Sequence, residues 1–461
     1  MSLQTRIRRQ LAAAAALFVA GFLGGHGSGL ARASPAQAPP AQRSALAPDN
    51  DVVRRGEYIA RLGDCLACHT GSSGVPFAGG VPFEAPGGVV FSSNITPDRQ
   101  FGIGRYTEQQ FAQLLREGIG PGGRSVSPTM PYPSFSRVTD EDIHLLYVYM
   151  MRGVQPSRIP SKPPEVNGGA DLAQLNEDWR KSHAPPVRVF DPSAYPSSQV
   201  ARGAYIVQGL GHCGSCHSPR AATFEERALT DRDPDGTRYL AGGGIYDGWS
   251  PLSIRNDAPD SVARMSEAEL VELLRIGRNH ATATFGIMNL IVSDSTQFFS
   301  TADLRAVAAY LKSLGTPPAK DWQREGATAT ALRRADETTR GAALYLDNCS
   351  ACHRTDGRGW ERVFPALAGN PVLLDPDPTS IIRIVMFGGM LPGLRTAPSS
   401  FTMAPAAGRL TDEQIADVVS FVRNAWGNNA SAVAAVDVAK VRKQETPADR
   451  ARWQALAPPP R

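Results

Sequence analysis

The sequence has no cysteine outside three Cys-x-x-Cys-His phrases. Its six cysteines are Cys65/Cys68, Cys213/Cys216 and Cys349/Cys352, and each pair is followed directly by a histidine, His69, His217 or His353. Exported cysteines become disulfides or are captured covalently by a cofactor, and cysteines confined to such phrases fit capture. Net charge is also scarce: 48 basic against 44 acidic residues give +4 over 461 residues. With no basic arm or stripe, nucleic acid is excluded as a partner. A nucleophile elbow of the Gly-x-Ser-x-Gly kind is missing. The glycine-rich stretch Gly242–Gly248 has neither a lysine nor a flanking βαβ pattern, so it reads as a turn rather than a phosphate loop.

The N-terminus carries an address. Arg6, Arg8 and Arg9 precede an apolar run from Leu11 to about Leu23, and small residues follow, ending Ala31-Arg32-Ala33. That run is about 13 residues, short of the roughly 20 that span hydrocarbon, so residues 1–33 read as a secretory signal peptide and the destination as the periplasm. Residues 34–50, rich in Ala, Pro and Gln, read as a flexible leader. The remainder, with 42% hydrophobic and 20% charged residues overall, is ordinary globular composition and long enough for about three domains.

Two thiols separated by two residues at a helix end reach the two vinyl groups of one haem, and the histidine that follows lies under the iron. A zinc ribbon would need two pairs to converge, leaving the third without a partner, and a redox dithiol does not require the histidine. The reading is three covalently attached haem c groups.

Alignment on the three phrases exposes an internal repeat. Upstream lie Arg55-Gly56-Glu57-Tyr58, Arg202-Gly203-Ala204-Tyr205 and Arg340-Gly341-Ala342-Ala343-Leu344-Tyr345. Glycine in a helix costs about 0.5–1 kcal/mol, so its recurrence predicts close approach by another backbone, a crossing helix. Downstream, Thr139, Thr301 and Thr411 open amphipathic closing helices. A second iron ligand belongs between each haem phrase and its closing helix. Met130, in Thr129-Met130-Pro131, and Met403, in Thr402-Met403-Ala404-Pro405, occupy that interval in the first and third repeats. In the second the candidates are Met288, which has the best position, Met265 and His280. Histidine–methionine ligation leaves no open site, so three such irons make an electron relay.

The expected fold is all-α: three cytochrome c-like haem domains in tandem at 51–154, 197–315 and 336–428. Pro/Gly-rich linkers fall at 155–196 and 316–335, and a tail at 429–461. The first linker is long enough to wrap the domains or contact a partner. In the tail, a short helix from Ser431 to Lys443 would lie on a membrane surface or a partner, or be solvated. Two other functions stay open: a haem enzyme with one open iron, peroxidase-like, and a free periplasmic carrier.

Over about residues 50–430 the chain resembles the three-haem cytochrome c subunits of bacterial membrane-associated alcohol, gluconate, fructose and aldehyde dehydrogenases. Ser93-Asn94-Ile95-Thr96-Pro97, Gly102-Ile103-Gly104, Met130-Pro131-Tyr132, Gln297 with Ala308–Leu314, and Arg423-Asn424-Ala425-Trp426-Gly427-Asn428 carry the likeness. The resemblance implies a larger catalytic subunit, of quinoprotein, flavin or molybdenum type, that oxidises substrate in the periplasm. Electrons then pass through the haems to ubiquinone or another acceptor. Members show Gly-Pro-Met in the second repeat where this chain has Gly286-Ile287-Met288. Several relatives end in a membrane helix, whereas this tail cannot span a bilayer, which leaves peripheral association.

Overall fold

The computed structural model describes residues 48–244, 248–319 and 322–444. The expected signal peptide, nearly all of the leader, and the tail beyond 444 lie outside the described residues.

The structure is mostly helical and contains the repeat three times. Helix α1 (Pro48–Leu62) leads into α2 (Cys65–His69). A hairpin of β1 (Pro82–Ala85) and β2 (Gly88–Phe91) follows, turned by Pro86 and Gly87, the latter at φ 88°. Helix α3 (Glu108–Glu117) starts with a capping box between Thr107 and Gln110 and stops at Gly118, φ 67°. Helix α4 (Asp140–Arg152) closes the first repeat, its N-cap Thr139 accepting from the Asp142 N–H. Strand β3 (Glu165–Val166) and α5 (Leu172–His183) follow.

The second repeat comprises α6 (Ser198–Tyr205), α7 (Gly214–His217), α8 (Glu267–Ile276), α9 (Ile287–Asp294) and the closing α10 (Thr301–Ser313). After α11 (Ala327–Arg333), the third runs α12 (Arg340–Asn348), α13 (Ser350–His353), α14 (Thr379–Phe387), β4 (Gly389–Met390), β5 (Thr402–Met403) and α15 (Asp412–Asn424). Helix α16 (Ala435–Gln444) ends the described chain.

The repeat glycines do what their recurrence predicts. A Cβ on Gly56 would lie 2.0 Å from the Leu145 carbonyl oxygen, on Gly203 1.9 Å from that of Ala306, and on Gly341 2.6 Å from that of Asp417. Each of these is the sixth residue after the N-cap of its closing helix: Thr139, Ser300, Thr411. Four residues further on, Tyr149, Tyr310 and Phe421 set their Cβ atoms against the same three glycines. Helix pairs α1·α4, α6·α10 and α12·α15 therefore cross in one register.

Three expectations need correction. Ser300, not Thr301, caps α10, because its hydroxyl accepts from Asp303 N–H and Thr301 is already helical. Two small sheets stand beside the helices, β1-β2-β3 and β4-β5, the alternation being too short to register in the sequence. The helix expected at Ser431–Lys443 forms at Ala435–Gln444 but lies on the protein's own core. Val438 and Val441 are buried between α14 and α15, and Arg442 pairs with Asp412 at 2.7 Å.

Segment 155–196 runs along the first repeat and reaches the second. Asn94 Nδ2 donates to the carbonyls of Ser157 (2.9 Å) and Ile159 (2.8 Å), β3 extends the hairpin, and Trp179 Nε1 donates to Thr223 O at 2.7 Å. Buried apolar residues form two clusters. One runs without a break through the first two helix pairs, from Ile59 to Leu314, and the other belongs to the third, from Ala329 to Val441.

Candidate haem sites

Each Cys-x-x-Cys-His phrase folds as a short helical turn directly after the first helix of its pair, so both cysteines and the histidine fall on consecutive turns. Asp64 and His212, immediately before the first two phrases, take left-handed backbone (φ 49° and 37°), which reverses the chain at the end of α1 and of α6 with its π-helical extension 206–210.

The three histidines share one environment. His69 Nδ1 donates to Ser93 O at 2.8 Å, His217 Nδ1 to Leu252 O at 2.7 Å, and His353 Nδ1 to Pro365 O at 2.9 Å. A carbonyl only accepts, so Nδ1 carries the proton and the Nε2 lone pair stays free for a metal. Burial lowers the affinity of all three rings for a second proton, which keeps them in the neutral, ligating form.

Five of the thiols have the opposite of a redox dithiol's character. Burial pushes Cys65 and Cys213 up to about 12 and Cys216 and Cys349 up to about 11, and Cys68 higher still. A thioredoxin-type nucleophile needs a lowered value. Cys352 differs from the other five in its exposure. It is exposed, whereas the other five cysteines are half-buried. The reason lies in α13, a single turn of four residues that turns His353 inward and so leaves Ala351 and Cys352 on the solvent side.

Among the described residues no group of three Cys, His, Asp or Glu side chains could hold a metal ion. All six cysteines are free of disulfides. Paired thiols beside an oriented neutral imidazole are the donor set that covalent haem requires.

The distal candidates sit differently. Met130 lies in a turn, its carbonyl accepting from Tyr132 N–H at 2.8 Å, and is packed on the first core cluster together with Cys65. Met403 lies on β5 opposite Gly389, half-buried, with Met390 on the facing strand opposite Thr402. Met288 lies in the first turn of α9, half-buried, rather than in a loop. Its competitors are engaged elsewhere. The side chain of His280 is 57% exposed and pairs with Glu269 at 3.2 Å, and Met265 Sδ accepts from Asn279 Nδ2 at 3.4 Å.

Sequence reasoning missed the carbonyls that orient the histidines. They lie 24, 35 and 12 residues beyond their partners, so they have no constant offset to detect, and a backbone atom leaves no residue-type signal. The phrase Arg423–Asn428, which carried part of the resemblance, has a structural part. Asn428 Nδ2 donates to Leu367 O and Val422 O, and the wholly buried Trp426 donates to Thr355 O at 3.0 Å.

A helical chain with such sites is of the cytochrome c class, with haem c as its cofactor, and the sequence profile of cytochrome c matches residues 338–426. The chain is 45% identical over 412 residues to a gluconate 2-dehydrogenase cytochrome c subunit of Pantoea cypripedii, covering 87% of this chain and 93% of that one. It is 42% identical to the cytochrome c subunit of a quinone-dependent alcohol dehydrogenase of Gluconobacter oxydans (88% and 85% covered). It is 33% identical to a fructose dehydrogenase cytochrome subunit of Gluconobacter japonicus (89% and 86%). The chain belongs to this family of dehydrogenase cytochrome c subunits, and its part is electron transfer rather than catalysis. Among the described residues no helix is long and apolar enough to cross a membrane.

Proposed function

We propose that the chain is a three-haem relay that takes electrons from a catalytic dehydrogenase subunit, of quinoprotein, flavin or molybdenum type, and delivers them to ubiquinone or another acceptor at the periplasmic face of the membrane. Residues 51–154, 197–315 and 336–428 are its three haem domains, the third extended by α16, with 155–196 and 316–335 as linkers and 1–33 as the export signal. Cys65/Cys68, Cys213/Cys216 and Cys349/Cys352 hold one haem c each, with Cys352 the attachment point on the solvent side of the third site. His69, His217 and His353 are proximal ligands, and Met130, Met288 and Met403 distal ones.

Haem c, when bound, supplies one-electron chemistry at its iron. The chain's own residues do the rest. The thiols fix position covalently, the carbonyls of Ser93, Leu252 and Pro365 orient the imidazoles, and the buried clusters keep water away. Met130, Met288 and Met403, as iron ligands, would raise the potentials of the haems they hold. The observation that carries the reading is the threefold recurrence of a Cys-x-x-Cys-His histidine with its Nδ1 proton on a backbone carbonyl.

Intact mass of the exported protein gives the number of haems, and titration of the reduced protein with carbon monoxide counts open irons. Three haems and no fast-binding equivalent support the relay. One full equivalent would mean an open iron and replace the relay with a haem enzyme. Gentle purification settles the partner: a dehydrogenase subunit travels with the relay, whereas a free carrier comes alone.

A further inference from the structure

The first two repeats grip each other through matching atoms. Tyr58 Oη donates to Asp303 Oδ2 at 2.6 Å and accepts from the Ser300 N–H at 2.9 Å. Tyr205 Oη donates to Asp142 Oδ2 at 2.5 Å and accepts from the Thr139 N–H at 3.2 Å. Ser300 and Thr139 are the N-caps of α10 and α4, and Asp303 and Asp142 are the third residues of those helices. Each tyrosine, three residues after the arginine of its own phrase, thus seats on the start of the other repeat's closing helix. Residue i touches j while j's counterpart touches i's, which is the contact pattern of a two-fold interface. Burial, the larger cause, and the facing carboxylates raise both phenols, so both remain donors.

The third repeat has no such device. At the matching offset it carries Ala343, and the third residue of α15 is Gln414. Its tyrosine, Tyr345, lies two positions on and donates to Arg354 O within its own repeat at 2.6 Å.

The same junction brings two haem phrases together. The Phe135 ring, five residues after Met130, meets the His212 ring beside Cys213 edge-on at 5.5 Å between centroids. Cys65 and Cys213 both pack on the apolar cluster that the first two repeats share, and Asp64, 3% exposed, immediately precedes Cys65.

We propose that Tyr58 and Tyr205 are positioning residues, a reciprocal latch that joins the first two repeats as a pseudo-symmetric pair and fixes the spacing of their haems. The latch holds the two Cys-x-x-Cys-His phrases of these repeats at one separation, and the third repeat, with Ala343 and Gln414 at the matching offsets, carries no counterpart to it. The inference rests on the assignment of the Cys-x-x-Cys-His phrases as haem sites.

The test uses the full-length holoprotein. Intact mass is read first on every variant, because a wild-type haem count below three would fault the site assignment rather than the latch. In Tyr58→Phe/Tyr205→Phe the exciton couplet between neighbouring haems in Soret circular dichroism loses most of its amplitude, and the Thr139 and Ser300 amides exchange several-fold faster. Tyr345→Phe leaves both unchanged. If the double variant fails to take up three haems, Asp142→Ala and Asp142→Asn carry the same test: alanine lowers the couplet and asparagine, which still accepts, restores it. A couplet that survives the loss of both hydroxyls, or that falls equally in Tyr345→Phe, overturns the latch.

Discussion

At the residue scale, covalent haem leaves a contiguous signature, two thiols and an imidazole within five residues, so the proximal set we propose can be read from the sequence. The same signature could not tell exposed Cys352 from its five half-buried counterparts, since exposure depends on which way a single turn faces. The distal set is dispersed, and what can be read from the sequence is only an interval before the closing helix. Met403 makes the sharpest test. Met403→Ala should give a protein that binds about one equivalent of carbon monoxide in the reduced state, with one of three potentials lowered, as loss of a thioether ligand dictates. Three unchanged potentials in a redox titration would remove Met403 from the iron. A second residue has a pH signature. Burial pushes the Asp375 carboxyl up to about 7, with the nearby Asp260 and Asp377 raising it further against the bonds from the Asp377 N–H and the field of Arg423. The folded state therefore prefers the protonated acid. That stability is fully present below the ordinary carboxylate range and is lost as pH rises through about 7. Urea unfolding at about pH 5 and about pH 8 should show the chain weaker at the higher value, and Asp375→Asn, neutral at both, should shrink the difference.

At the scale of elements, the helices were legible because apolar spacing and caps coincide, and the repeat glycines mark their crossings. What escaped was what depends on contact between distant segments. Ser300 displaced Thr301 as cap because its hydroxyl, one residue earlier, reaches the Asp303 N–H. The strands β3, β4 and β5 are two residues each, and hydrogen bonding to a partner strand defines them rather than composition. Helix α16 looked like a surface helix from its charges, yet Val438 and Val441, with Arg442 paired to Asp412, seat it on the third core. The crossings give a graded prediction. A methyl group at Gly203 or Gly56 would overlap a backbone carbonyl at about 2 Å, whereas at Gly341 the gap is 2.6 Å. Gly203→Ala and Gly56→Ala should each cost about 1–3 kcal/mol or more by forcing the helices apart, and Gly341→Ala less. Thermal melts of the three variants check the order, and equal losses would contradict it.

At the scale of the whole molecule, the three repeats are not equivalent neighbours. The first and second share one apolar cluster, so neither can lose its packing without exposing the other. The third joins the second chiefly through polar contacts. Ser250 and Ser380 exchange two hydrogen bonds, Arg278 donates to Ser399 O at 3.0 Å, Asn289 to Met390 O at 3.0 Å, and Arg362 pairs with Glu272 at 2.6 Å. Among the described residues, only the partly buried Leu252 and Phe285 cross into the third cluster. A hydrogen bond adds about 0.5–1.5 kcal/mol net, and the half-exposed Arg362–Glu272 pair is weakened by water and salt, while a shared core fails cooperatively. Calorimetry of the holoprotein should therefore show two transitions, one for the first two repeats together and one for the third. Raising the ionic strength should separate them, because the Arg362–Glu272 pair is screened and the apolar clusters are not. A charge-reversing Arg362→Glu should widen that gap without moving the transition of the first two repeats. A single transition insensitive to salt would mean that the polar junction couples the repeats as tightly as the common core does. The orientation of His217, whose Nδ1 proton rests on Leu252 O, would then be tied to the folding of the third repeat.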